Sequence, residues 1–205
     1  MKSAFKDAAL TWVELLVAIA VLAVLATLAT LMTPAVTVYM VQGQLAQTLN
    51  NARQLQIATQ MMAADNLQAG SGIEWTTIYD KGRAVRPAAT EEFFTALTKG
   101  GYVTKNELKK LLAAPGKGPG QDDPTVANSC FKFFQVSQES PKEQPLLVTA
   151  NWTPQGLSRD EPYGMKEFVV YNKGGGGMSR QMARATDTNI FPSDPKLGYT
   201  LQTLK

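Results

Sequence analysis

The chain has 205 residues, a net charge of +3, no histidine and one cysteine, Cys130. These counts exclude an intrachain disulfide, a Cys/His metal cluster and any nucleophile activated by histidine. Its 20 lysines and arginines are scattered rather than clustered, so no nucleic-acid partner is expected, and the length leaves room for one membrane helix and one domain of about 150 residues.

In chain order, the segment 1–9 carries Lys2 and Lys6 against Asp7. An apolar run follows from Leu10 to Val41, with Glu14 the only charge between Asp7 and Arg53. No residue from Leu15 to Thr33 is ionisable. A helix needs about 20 apolar residues to cross a bilayer. The run is therefore expected to form a transmembrane helix over 10–41, and the positive charge ahead of it keeps that end in the cytoplasm. A secretory signal has an apolar stretch of only about 7 to 15 residues, too short for this pattern. An acid at the mouth of such a run is costly, since a charge at the centre of a membrane helix costs about 2.5 to 3.5 kcal/mol on the insertion scale. Glu14 therefore needs a reason.

The segment Thr11-Trp12-Val13-Glu14-Leu15-Leu16-Val17-Ala18-Ile19 resembles the N-terminal segment of type IV pilins and pseudopilins, commonly Phe-Thr-Leu-Val-Glu-Leu-Leu-Val. The resemblance covers roughly the first 30 residues. It implies a leader over 1–9, cleavage by a prepilin peptidase between Ala9 and Leu10, methylation of the new N-terminus, and assembly through Thr11 and Glu14. Ala9 stands where the family usually has Gly, Leu10 where it has Phe, and Trp12 where Leu is common. Many pilins close a loop with a disulfide, which this chain cannot do, so the resemblance leans toward the pseudopilins.

Beyond the run, Leu45, Leu49, Ala52, Leu55, Ala58 and Met62 recur at steps of three or four, and glutamines and asparagines fill the opposite face. This predicts that the helix continues to Asn66, with Pro34 and Gly43 as candidate kinks or as the point of exit from lipid. The Met61-Met62 pair reads as core. From Leu67 to Pro87 the glycines Gly70, Gly72 and Gly82 predict a loop. Short helices are expected over 91–99, burying Phe93, Phe94 and Leu97, and over 104–114, opened by the capping-box spacing of Thr104 and Glu107 and ended by Pro115.

The segment 116–124 reads as a flexible loop, and its Gly-Lys-Gly core lacks the rest of a phosphate loop. Strands are expected over 131–136, 146–152 and 167–171, with a weak edge strand over 197–204. Gly174 to Gly177 reads as a mobile turn. Asp187, Asn189 and Asp194 offer oxygen ligands, but their spacing matches no calcium loop and a solvated loop is the simpler reading. Cys130 reads as a small buried hydrophobe.

The expected fold class is α+β and pilin-like. A long N-terminal helix would be transmembrane in its first half and packed in its second half on a small antiparallel sheet of three or four strands. Residues 42–205, including that second half, would form a periplasmic globular domain. The resemblance implies a structural subunit, not an enzyme, without cofactor or metal, held in the inner membrane by a single pass with a cytoplasmic N-terminus. Its partners would be the prepilin peptidase, the inner membrane and other pilin or pseudopilin subunits. A type II secretion pseudopilin is the first reading and a minor type IV pilin the second. A membrane-anchored periplasmic binding or sensor module is the alternative from another class.

Overall fold

The computed structural model describes residues 12–70, 72–116, 125, 128–159, 162–181, 185–186 and 204, with residues 29–37 described by backbone alone. The chain divides into two compact units, Met1–Gly43 and Gln44–Lys205.

Helix α1 runs Trp12–Ala69 and includes Pro34 and Gly43, so neither residue ends it. In the first unit its described side chains from Trp12 to Leu28 are all exposed. The expectation of a transmembrane half is corrected here: among the described residues, no helix is long and apolar enough to cross a membrane. The described apolar stretch over 12–28 is exposed throughout. It also carries Glu14 in its first turn.

The second unit is organised on residues 44–69 of α1. Ala52, Leu55, Ala58 and Met62 turn inward at helical spacing and are at most 4% exposed. They share one apolar core with Phe93, Phe94, Leu97, Leu108, Phe133 and Leu147. Helix α2 (Thr90–Lys99) supplies Phe93 and Phe94, whose rings tilt against Phe133 at centroid distances of 5.3 and 5.5 Å. Gly101, at φ +76, closes α2. Helix α3 (Lys105–Leu112) is opened by the Thr104 capping box, in which the Glu107 amide donates to the Thr104 hydroxyl and Glu107 accepts from the Thr104 amide. Asn51 on α1 donates to the carbonyl of Leu111, which fastens α3 beside it.

A single sheet of three or four strands is also corrected, since among the described residues the strands form three antiparallel sheets, one of them four-stranded. The expected loop at 67–87 holds β1 (Gly72–Glu74), β2 (Thr77–Asp80) and β3 (Arg83–Pro87), paired in that order. Trp75 and Lys81 turn the chain at φ +56 and +50, conformations that sequence rules reserve for glycine and asparagine. The second sheet has the order β4-β5-β8-β9, from β4 (Phe131–Phe133), β5 (Pro145–Thr149), β8 (Glu167–Asn172) and β9 (Gly177–Gln181). A small ladder joins β6 (Trp152–Thr153) to β7 (Gly156–Leu157). Behind the four-stranded sheet a second apolar cluster gathers Trp75, Phe134, Leu146, Trp152 and Phe168.

The glycine turn expected to be mobile is held. The Asn172 amide donates to the carbonyl of Gly176 at 2.7 Å, and that of Gly174 to Lys142 at 2.8 Å. A Cβ on Gly177 would collide with the Tyr171 ring, so this position requires glycine.

Candidate functional site

The stretch singled out by the sequence begins with Ala9, Leu10 and Thr11, which lie outside the described residues. Glu14 lies in the first turn of α1 and is exposed. A carboxylate there opposes the positive end of the helix dipole, which gives it a local stabilising role of its own. After it come Leu15, Leu16, Val17, Ile19, Val21, Leu22, Val24, Leu25 and Leu28, each between 48% and 65% exposed. Trp12 and Val13 precede it at 78% and 69%.

These residues occupy every side of the helix, because consecutive positions are rotated by about 100° and almost none is polar. A helix that is apolar all round is ordinarily buried. Here its side chains face outward, so the surface they form is one that water disfavours. Full burial of an aliphatic side chain is worth about 1.5 to 3 kcal/mol. Covering these half-exposed side chains would gain on the order of 10 kcal/mol before the costs of association.

Two concavities of the second unit are lined by described residues. One, of about 340 Å³, lies between α2 and α3 and has Phe94 and Leu108 as its floor, with Glu91 and Lys105 at its rim. The other, of about 190 Å³, is a groove between α1 and α3 lined by Ile57, Met61, Tyr102 and Leu111. No group of three or more His, Cys, Asp or Glu side chains able to hold a metal occurs among the described residues. Asp187, Asn189 and Asp194 lie outside them, as does the expected edge strand except Leu204, whose amide donates to the carbonyl of Phe133.

Burial governs the ionisable side chains in this unit. It pushes the Cys130 thiol up to about 12, so the thiolate is scarce. It raises the Glu74 carboxyl and lowers the Lys173 ammonium. Lys173 is 8% exposed, and its Nζ donates to the carbonyls of Gln138 at 2.6 Å and Ser140 at 2.7 Å. Sequence reasoning passed over Lys173, Trp75 and Gln138. The three are far apart in the chain, and no local motif marks such a cluster.

Comparison with protein-family models, with curated proteins and with solved structures gives no match for this chain.

Proposed function

We propose that the chain is a structural subunit of a pilin-like filament, of the pseudopilin kind, and that it assembles by packing its apolar helix against the helices of neighbouring subunits. The supporting observation is the apolar surface over 12–28, exposed on all sides of the helix. Aliphatic surface of this extent on a single chain marks a protein interaction site or an aggregation hazard. Regular helix-on-helix packing is the arrangement that buries such a surface in full.

The resemblance around Glu14 adds a processing step. A prepilin peptidase removes 1–9, and cleavage before Leu10 frees an amine four residues from Glu14 in the sequence. In a bundle of aliphatic helices a carboxylate requires a cation, and that amine, on the same or a neighbouring subunit, supplies it. The pair fixes the axial register of incoming subunits. The assembled filament belongs to the cell envelope, and the protein acts as a building element rather than a catalyst.

Cross-linking tests this reading. Val17→Cys places a thiol on the exposed helix, while Cys130 stays silent because it is buried. Oxidation in cells that express a prepilin peptidase should give disulfide-linked dimers of the processed chain, whose intact mass begins at Leu10. Monomer alone, at wild-type abundance, would remove helix packing from the mechanism.

A further inference from the structure

Glu74 is the last residue of β1 and is only 1% exposed. Among the described residues no hydrogen bond or ion pair reaches its carboxyl, and Oε2 is shut off from water. A carboxylate in such a place is costly, because it has lost its water and gained no donor. The protonated form loses far less.

The chain on either side holds Glu74 there. The Ile73 carbonyl accepts from Nδ2 of Asn66 on α1 at 2.8 Å, and Ile73 and Ile78 pack against the main core. Past the Trp75 turn, the Thr76 amide and the Thr77 hydroxyl both donate to the carbonyl of Val136, at 3.1 and 2.9 Å. The strand cannot carry Glu74 out to water while these bonds hold.

Among the described residues, the surrounding elements offer it no cation. On β2, Thr77 stands opposite, and Tyr79 shares its face of the sheet with a phenol that is neutral below about pH 10. On α1, Asn66 is uncharged and Asp65 accepts from the Tyr102 hydroxyl. On β3, Arg86 pairs with Glu92. Just after β8, the Lys173 ammonium serves the carbonyls of Gln138 and Ser140 and the face of the Trp75 ring. Burial alone therefore raises the Glu74 carboxyl from its ordinary value of 4.5.

We propose that Glu74 is a pH-sensitive element of the second unit: a neutral acid enclosed beside the β1–β2 turn, whose deprotonation loosens the unit as pH rises. An acid enclosed in this way holds its proton more tightly in the folded chain than in the unfolded one. Its contribution is complete below about pH 4.5 and is lost as pH rises through the folded value.

Glu74→Gln keeps the shape and removes the titration. Thermal unfolding of the purified full-length chain is compared for wild type and variant from about pH 4 to about pH 8. Near-ultraviolet circular dichroism of the buried Trp75 and Trp152 follows it. The midpoint of the variant relative to wild type should rise by at least about 3 °C across that range. A difference that stays constant or falls would overturn the proposal. If Glu74→Gln does not fold, carbon-detected NMR titration of the wild-type carboxyl decides. Its midpoint should lie above 4.5, and one at or below 4.5 would overturn the proposal.

Discussion

The hydroxyl oxygens of Thr48 and Tyr163 lie 2.6 Å apart, and each also lies 3.0 Å from the carbonyl oxygen of Gln44. Thr48 is 1% exposed on α1, and Tyr163 comes from the long connection between β7 and β8. Three oxygens therefore share two protons and fasten that connection to the helix. Burial pushes the Tyr163 phenol up to about 12, so it stays protonated and able to donate at any ordinary pH. Tyr163→Phe leaves the Thr48 hydroxyl with one partner fewer and should cost about 1 to 2 kcal/mol. Thermal unfolding should fall by about 2 to 8 °C on the scaling for a domain of this size. An unchanged midpoint would mean that the connection is held by its backbone alone.

Leu55 is fully buried among Phe93, Leu97 and Phe133 in the main apolar core. Leu55→Asp removes that packing and places a carboxylate where water cannot reach it. The cost should exceed about 4 kcal/mol, a large fraction of the stability of an ordinary domain. Circular dichroism should show the second unit unfolded at 37 °C. The exposed Ile57→Asp on the same helix should leave it folded.

Much of the second unit is legible in the sequence wherever one local rule acts alone. The inward face of α1 from Ala52 to Met62 follows helical spacing, and the capping box of α3 follows from Thr104 and Glu107. The three-stranded sheet was hidden because its strands are three to five residues long and its first turn places Trp75 at positive φ, with a glycine, Gly82, only in the second turn after Lys81. No pattern rule assigns left-handed backbone to a tryptophan. The apolar run was legible as composition, but composition does not say what covers it. Counting residues therefore led to a membrane span that the described helix does not provide. Of the candidate site, Glu14 and its aliphatic neighbours could be named in advance. Their exposure around the whole helix could not.

Arg86 on β3 forms a two-pronged pair with Glu92 in the first turn of α2, at 2.8 and 2.9 Å. That hydrogen bond, with a second from the Ala89 amide, lowers the Glu92 carboxyl to about 2. A depressed acid adds its stability above the ordinary carboxylate range and loses it as pH falls through the folded value. The contribution should therefore be complete above about pH 5 and gone near pH 2. Both side chains are well exposed, so salt should weaken the pair. Carbon-detected NMR titration should place the Glu92 midpoint near 2, and Arg86→Ala should return it toward the ordinary range. A wild-type midpoint near 4.5 would show that the pair does not persist in solution.

The most direct test of the filament reading is the yield of assembled filament from Glu14→Ala. Removing the acid makes the apolar helix more uniform, so the variant should accumulate to wild-type levels and still be cleaved before Leu10. Without the carboxylate there is no partner for the new amine and no electrostatic register between subunits. Sheared filaments, measured at matched cellular levels of processed protein, should fall at least tenfold. Equal filament yield from Glu14→Ala and wild type would contradict the role assigned to Glu14.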